Sequence, residues 1–137
     1  MEMVAAVSVT AVAVTLALVS IAPLLHSASS RSATQQIVAD LRLTRMKAIA
    51  QNRRFRVVFD TADEEYTIER EDGMGAFVVD EGPFELPVSV DISNVNPSDP
   101  IFDARGTVNA VTTVTLAAPQ GATHTVTINV LGRVTES

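Results

Sequence analysis

Hydrophobic and polar positions follow three different patterns along this chain of 137 residues. An apolar run without a formal charge comes first, a segment with helical periodicity follows, and the remainder alternates with a period of two. These patterns predict one long N-terminal helix and a β-rich body. We therefore divide the chain into a hydrophobic helix over residues 1–25, an amphipathic continuation of that helix over residues 26–53 and a globular β-rich head over residues 54–137.

The apolar run from Met3 to Leu25 holds 23 residues and is dominated by Val, Ala and Leu. As a helix it would span about 35 Å, which is enough to cross a hydrocarbon core of about 30 Å. A cleaved secretory signal would begin with positive charge and have a shorter apolar core, whereas the leading charge here is the acid Glu2. The run therefore predicts a transmembrane helix, and Pro23 predicts a kink near its end.

Glu2 lies at the edge of the predicted membrane span. An acid in this position is costly unless it is paired, which makes Glu2 a candidate functional residue. A free N-terminal amine on the same or a neighbouring subunit would be a natural partner. The plain alternative is an interfacial acid that stays in headgroup water.

Apolar side chains of the second helical segment fall on two faces. The larger face, about 120° wide, contains Ile37, Val38, Leu41, Ala48 and Ile49. The smaller face contains Leu43, Met46 and Ala50. Two such faces suit a helix that packs on its own head with one side and on neighbouring subunits with the other, and a single broad core stripe is the alternative. Arg45 lies inside the larger face, where periodicity does not explain it, and Asn52 is the predicted helix end.

The chain after Asn52 reads as a series of β-strands. Phe55, Val57 and Phe59 alternate with Arg54, Arg56 and Val58, and Tyr66 and Ile68 alternate with polar residues to give a hairpin partner. Further strands are predicted at 76–80, 88–92, 101–102, 108–117 and 123–130. A short link is bracketed by Gly82-Pro83 and Pro87, and a loop is predicted over 94–100. The predicted fold class is α+β, in which the long N-terminal helix packs on a small antiparallel β-sheet.

The formal net charge of -6 is distributed unevenly along the chain. Residues 26–58 carry seven Arg or Lys against the single acid Asp40, whereas residues 59–137 carry fourteen acids against three arginines. A basic segment just beyond a membrane span suits anionic lipid headgroups or acidic neighbouring subunits. The acidic head argues against a broad nucleic-acid interface.

The residue types for catalysis or metal binding are sparse. The chain has no cysteine, and its only histidines, His26 and His124, are not placed in a nucleophile–base motif. One acidic cluster contains Asp60, Asp63, Glu64 and Glu65. It lacks the ligand spacing and the central glycine of a calcium loop, so this pattern predicts a solvated hairpin turn. We therefore predict a protein that is not an enzyme and has neither a metal site nor a cofactor.

The two ends of the helix carry recognisable motifs. Met1–Val7 resembles the end of the Phe-Thr-Leu-Ile-Glu-Met-Val opening of the type IV pilin superfamily, with Glu2 in the place of the glutamate. The stretch from Asp40 to Asn52, followed by the strand Phe55–Phe59, is typical of the GspH/FimT branch of pseudopilins and minor pilins. It gives Arg45 a family position.

Two C-terminal motifs add to this resemblance. The same branch has two C-terminal signatures. They are resembled in this chain by Phe102-Asp103-Ala104-Arg105-Gly106 and by Leu131-Gly132-Arg133-Val134. The combination is more specific than any single motif, and it covers essentially the whole chain.

The resemblance implies a structural subunit of a type II secretion pseudopilus or a type IV pilus. Glu2 would neutralise the N-terminal amine of an adjacent subunit, and Val4, Val7 and Pro23 would belong to the same assembly helix. Contacts between helix and head are assigned to Ile37, Leu41, Arg45, Ala48 and Ile49. The implied partners are other pilin or pseudopilin subunits, the inner membrane and the secretion or pilus assembly platform. The chain would cross the bacterial inner membrane once with its head in the periplasm, or be extracellular within a surface pilus.

Two other functions stay open at this point. Some FimT-like proteins bind DNA through a C-terminal Gly-Arg-x-Arg motif, of which Gly132-Arg133-Val134-Thr135 keeps only the first arginine. Arg133 is the candidate DNA contact in this alternative, but phosphate contacts need clustered positive charge. The second alternative is a membrane-anchored β-domain without a filament role.

Overall fold

One continuous helix begins the structure. The computed structural model describes the backbone of residues 2–118 and 121–137, and their side chains from residue 27 onward. Helix α1 spans Glu2–Gln51. The side chains of Glu2, Val4, Val7 and Pro23, for which assembly roles are predicted, lie outside the described residues. Within the part of the chain whose side chains are described, no helix is long and apolar enough to cross a membrane.

Within the described part of the chain, eight strands follow α1 and form two four-stranded antiparallel sheets. They are β1 (Phe55–Asp60), β2 (Glu65–Glu71), β3 (Phe77–Glu85), β4 (Asp91–Asn96), β5 (Ile101–Phe102), β6 (Thr112–Ala117), β7 (Thr123–Ile128) and β8 (Val134–Glu136). The first sheet has the order β3-β2-β1-β5, and the second has the order β4-β6-β7-β8. The predicted α+β class is confirmed, and the head contains two sheets where the sequence pattern predicted one.

Helix α1 ends where the sequence predicts. Asn52 adopts the left-handed conformation with a φ of 51°, which asparagine tolerates better than most residues. The N–H of Arg53 donates to the carbonyl of Ala48 at 3.2 Å, and the N–H of Asn52 donates to that of Ile49 at 3.3 Å. These two bonds form a Schellman motif that closes the last helical turn and directs the chain into β1.

The first hairpin follows from its alternating side chains. Phe55, Val57 and Phe59 of β1 are buried, and so are Tyr66 and Ile68 of β2. Val57 pairs with Ile68 and Phe59 with Tyr66 in the β1–β2 register. The predicted hairpin is therefore confirmed, and its buried side chains stabilise the head by about 1.5–3 kcal/mol each.

The strands between residues 77 and 96 differ from the prediction. β3 continues through Gly82 and Pro83, which the sequence pattern assigned to a link. Proline is tolerated here because β3 is the outer strand of its sheet, where a missing N–H need not break a ladder. β4 occupies Asp91–Asn96, so it begins in the predicted strand over 88–92 and its last three residues lie in the predicted loop over 94–100. Its register shifts between Ile92 and Asn94.

A single hydrophobic core joins α1 to both sheets. Its members on α1 include Ile37 and Leu41, and the second sheet contributes Val114, Leu116 and Val126. The largest side chains that are fully buried include Tyr66, Phe55 and Phe102. This core holds one face of α1, between Ser30 and Ala48, against the head.

The hydroxyl of Tyr66 is the polar point at which this core meets α1. It donates a hydrogen bond to Asp40 and accepts one of 3.1 Å from the side-chain amide of Gln36. Burial of the phenol, together with its bond to the Asp40 carboxylate, raises the pKa of Tyr66 above its usual range. The hydroxyl therefore stays protonated and fixes the rotation of α1 against β2.

Candidate assembly surface

Arg45 connects α1 to two separate loops of the head. Its Nε donates to the carbonyl of Gly106 at 2.9 Å, and its Nη2 donates to the carbonyl of Leu131 at 3.1 Å. The first carbonyl belongs to the loop between β5 and β6, and the second to the turn between β7 and β8. Guanidinium donors diverge in a fixed plane, so one side chain can satisfy two carbonyls that the chain order keeps apart. This explains a charged residue within an otherwise apolar helix face.

The two loops held by Arg45 are turns of the same kind. Gly106 donates to the carbonyl of Asp103 at 2.9 Å, and Gly132 donates to that of Asn129 at 2.8 Å. Both glycines have a positive φ, 79° and 73° respectively. We refer to Asp103–Thr107 and Asn129–Arg133 as the twin turns.

Each of the twin turns is organised by the side chain of its first residue. Oδ1 of Asp103 accepts from the N–H groups of Arg105 and Thr107 at 2.9 and 3.0 Å. Oδ1 of Asn129 accepts from those of Leu131 and Arg133, both at 3.0 Å. Side chains of Asp and Asn stabilise turns in this way because their oxygen reaches the backbone two residues ahead.

The Asp103 carboxylate carries a shifted pKa. Its partial burial opposes ionisation, but hydrogen bonds from the hydroxyl and N–H of Thr107 and from the N–H of Arg105 outweigh that effect. The positive charge of Arg105 acts in the same direction, and the pKa of Asp103 falls below its usual value. The first of the twin turns is therefore formed around an ionised carboxylate at neutral pH.

Arg45 lies where the twin turns contact each other. A Cβ added to Gly132 would lie 2.0 Å from the carbonyl oxygen of Gly106 and 2.8 Å from Nε of Arg45. No side chain fits in that space. The structure thus brings together Arg45, Phe102–Gly106 and Leu131–Val134, the three regions that the sequence motifs single out in the helix exit and at the C-terminus.

The residues predicted to join helix and head occupy two environments. Ile37, Leu41 and Ala48 are buried in the core. Arg45 is half-buried, with the two bonds described above. Ile49 is 48% exposed, and a Cβ on Gly106 would lie 2.6 Å from its Cδ1, so Ile49 packs at the rim of the same contact.

A second face of α1 is exposed. Leu43, Met46 and Ala50, the smaller predicted apolar face, extend through Ala39 into one stripe with a spacing of four, three and four residues. Met46 is 59% exposed and Leu43 is 40% exposed. The single broad core stripe is therefore excluded, and we refer to Ala39, Leu43, Met46 and Ala50 as the outer stripe.

Several cations of the head and helix are paired with acids. Lys47 bonds to Asp80 at 3.0 Å and to Glu81. Burial opposes the charge of Lys47, but the bonds to Glu81 and Asp80 prevail and raise its pKa. Arg54 and Arg56 bond to Glu71 and Glu69 across β1 and β2, and both guanidinium groups lie over the ring of Phe77. These contacts cover the outer face of the first sheet with paired charges.

Three other arginines, on or beside the twin turns, have no such partners. In residues 27–118 and 121–137, no carboxylate oxygen lies within 4.0 Å of a guanidinium nitrogen of Arg42, Arg105 or Arg133. Arg42 donates to the carbonyl of Val134 at 3.4 Å, next to Arg133. We refer to these three arginines, with the exposed side chains of Ile49 and Leu131, as the arginine patch. Arg133, the candidate DNA contact of the alternative function, is therefore part of this patch.

An acidic groove of about 490 Å³ opens elsewhere on the head. It is lined by Asp63, Glu64, Glu65, Glu85, Leu86, Pro87, Val88, Val90 and Asp91. Part of its acidic wall is the turn predicted between β1 and β2, where Oδ1 of Asp60 accepts from Ala62 and Asp63. Among the described residues, no group of His, Cys, Asp or Glu has the arrangement of a metal site.

The two histidines have different positions. The side chain of His26 lies outside the described residues. His124 is half-buried in β7, and its Nε2 lies 3.4 Å from Oγ of Ser30. Because Ser30 is buried and also bonds to its own helix, this contact is structural.

The meeting of the twin turns was not part of the sequence prediction. A signal was present, since Asp103 and Asn129 each precede a glycine by three residues. Such spacing predicts two turns, but it does not predict that they contact each other.

Comparison with known proteins shows which family and which structures this chain resembles. The family described as Type II transport protein GspH matches residues 33–132, a range that includes Arg45 and both glycines of the twin turns. The structure of the minor pseudopilin EpsH from the type 2 secretion system of Vibrio cholerae is similar, with a TM-score of 0.68 and 13% identity over 80% of this chain and 96% of that chain. The type IV minor pilin FimU of Pseudomonas aeruginosa is similar with a TM-score of 0.67 and 16% identity over 84% and 92% of the two chains.

These identities are low, so the two structures show a shared fold. Comparison with curated proteins gives no match. The family match covers α1 from residue 33 to its end and most of the head, which is well over half of the chain. On that basis, the chain belongs to the GspH family.

Proposed function

We propose that this chain is a structural pilin-like subunit, a pseudopilin or minor pilin that assembles into a type II secretion pseudopilus or a type IV pilus. The observation that carries the proposal is the continuity of α1. One helix of 50 residues holds both the apolar run of residues 3–25 and the segment that packs on the head. A helix of this kind is suited to lipid before assembly and to the helices of other subunits afterwards.

The exposed side of α1 supports the same role. The outer stripe continues the apolar surface of the helix alongside the head, and exposed apolar surfaces of this kind mark interaction sites. EpsH is a minor pseudopilin and FimU is a type IV minor pilin, which supports both kinds of filament. The chain has a structural rather than an enzymatic role in this proposal.

The proposed location and partners follow from the proposed function. The chain would cross the inner membrane once over residues 1–25, with its head in the periplasm, or be extracellular as part of a surface pilus. Its partners would be other pilin or pseudopilin subunits and the assembly platform. Glu2, Val4, Val7 and Pro23 would then act in filament assembly, with Glu2 paired to a neighbouring N-terminal amine.

Replacing Glu2 tests this proposal. We expect Glu2→Ala to leave the chain in the membrane fraction and to remove it from filaments. Loss of one partner of a buried ion pair costs about 3–5 kcal/mol, so incorporation should fall by more than about tenfold. The measurement is the amount of chain in sheared filaments relative to that in membranes.

Glu136→Ala is the matched control, because Glu136 is an exposed acid of β8. This variant should be incorporated like the unsubstituted chain. Normal incorporation of Glu2→Ala would contradict the proposed role of Glu2 in assembly.

A further inference from the structure

The arginine patch combines positive charge with exposed apolar surface. Arg42, Arg105 and Arg133 have no carboxylate within ion-pair distance among the described residues. Leu131, in the second of the twin turns, is 65% exposed, and Ile49 of α1 is 48% exposed. Charge and apolar area together are typical of a surface that binds another protein.

The backbone around the patch is fixed before any partner binds. Arg105 belongs to the first of the twin turns, and Arg133 ends the second. Arg45 bonds to both turns, and Arg42 bonds to the carbonyl of Val134. A surface held in this way loses less conformational entropy on binding than one carried by mobile loops.

The acidic groove has complementary properties. Five carboxylates line it, and within the described residues none of them has an Arg or Lys nitrogen within 4.0 Å. Val88 in its wall is fully exposed. The groove therefore offers negative charge and apolar surface where the patch offers positive charge and apolar surface.

The two surfaces lie at different heights along α1. The patch adjoins Arg45, whereas three of the groove's acids, Asp63, Glu64 and Glu65, immediately precede Tyr66. The hydroxyl of Tyr66 bonds to Asp40 and Gln36 of α1. Gln36 lies about 13 Å from Arg45 along the helix axis, toward the N-terminus. A contact between the patch of one copy and the groove of another is therefore head-to-tail. Such contacts generate open helical filaments when the rotation between copies does not close a ring.

We propose that the arginine patch of one copy binds the acidic groove of a second copy as an axial contact within the filament. This inference rests on the proposed function, because it names the partner surface of an assembling subunit. A protein surface fits the patch better than nucleic acid does, since Leu131 and Ile49 add apolar area and the chain carries a net charge of -6. Opposite charges would also set the register of the two heads.

Disulfide cross-linking between full-length copies tests the contact, because the chain has no cysteine of its own. Ala104→Cys beside the patch is co-expressed with Ala62→Cys beside the groove, in cells that assemble the filament. We expect their mixed disulfide to exceed that of Ala104→Cys with Ala76→Cys by at least about tenfold. Ala76 is a matched control, since it is an exposed alanine like Ala62 but lies in the turn before β3.

Charge reversal separates docking from misfolding. Arg133→Glu in the Ala104→Cys copy should lower the cross-link by about tenfold, and Asp63→Arg in the Ala62→Cys copy should restore it. A cross-link no stronger than the Ala76 control, or one that Arg133→Glu leaves unchanged, would overturn the proposal. Retarded migration of duplex DNA with the full-length chain in detergent, lost on Arg133→Ala, would assign the patch to nucleic acid and overturn it as well.

Filament incorporation, measured in the same cells, distinguishes this inference from the proposed function. Incorporation without the cross-link would refute the docking contact and leave the structural role standing. A cross-link without incorporation would retain the pairing of patch and groove but refute the filament role and, with it, the axial placement of the contact. The absence of both would refute both.

Discussion

At the scale of single residues, Gly132 occupies the tightest contact of the candidate surface. Gly132→Ala should lower the free energy of unfolding by about 3 kcal/mol, because the left-handed conformation costs about 1–2 kcal/mol and displacing the Gly106 carbonyl costs about as much again. Gly121→Ala is the control, since Gly121 has a similar φ of 80° and, among the described residues, no atom lies within 4 Å of an added Cβ. It should lose only about 1 kcal/mol. Urea unfolding of the full chain in detergent measures both, and equal losses would show that the contact has room for a methyl group.

The contacts of Arg45 show which details of single residues could not be predicted from the sequence. Periodicity identified it as an anomaly in an apolar face, and the family resemblance gave it a position. Its partners are the carbonyls of Gly106 and Leu131, which lie 61 and 86 residues away along the chain. Backbone carbonyls exist at every position, so no residue pattern identifies which of them an arginine will reach.

At the scale of elements, the outer stripe of α1 separates folding from assembly. Met46→Glu should change the free energy of unfolding by no more than about 0.5 kcal/mol, since Met46 is largely exposed. The same substitution should reduce incorporation into filaments by at least about tenfold, because it would place a charge against an apolar neighbouring helix. Unfolding in detergent and the filament fraction in cells are the two measurements.

Gln51→Glu provides the control for the outer stripe. It adds the same charge to an exposed position of α1 that lies about 140° around the helix from Met46. This variant should be incorporated normally. Equal losses for the two variants would mean that added charge, rather than its place on the outer stripe, is responsible.

The sequence predicted a strand well where its buried and exposed residues alternate clearly, and poorly where they do not. β1 and β2 have one buried and one solvated face, so Phe55, Val57 and Phe59 marked their strand unambiguously. β4 has only Ile92 buried and contains a register shift, and β8 has three residues, so neither produces a period of two that can be recognised. The division of the head into two sheets depends on pairings between distant strands, such as β1 with β5, which local patterns do not encode.

At the scale of the whole molecule, pH acts on stability through carboxylates with shifted pKa values of opposite sign. The hydrogen bond and charge of Arg54 lower the pKa of Glu71, and the Asp103 pKa is lowered within its turn. Burial raises the pKa of Asp99, although its Oδ1 accepts from the N–H of Phe59 at 3.0 Å. A carboxylate whose pKa is lower in the folded chain than in the unfolded chain stabilises the fold at a pH above the unfolded pKa, and this stability is lost in acid. A carboxylate whose pKa is higher in the folded chain stabilises the fold in acid instead.

The pair Asp103→Asn and Asp99→Asn tests this balance with two opposite expectations. The ordinary aspartate pKa is 3.8, and Asp103 in the folded chain titrates below it. The stability that its ionised form contributes is therefore complete above about pH 5 and is lost as the pH falls through the folded pKa. Asp103→Asn has no such contribution to lose. It should therefore lose less stability than the unsubstituted chain between about pH 6 and pH 3. The pKa of Asp99 in the folded chain lies above 3.8, so the folded chain binds this proton more readily than the unfolded chain does. Protonation of Asp99 therefore adds stability in acid. Asp99→Asn lacks this gain and should lose more stability than the unsubstituted chain over the same pH range. Urea unfolding of the full chain in detergent across that pH range measures both slopes. Parallel slopes for all three chains would contradict the shifted values, and a flatter slope for Asp99→Asn would contradict the dominance of burial at Asp99.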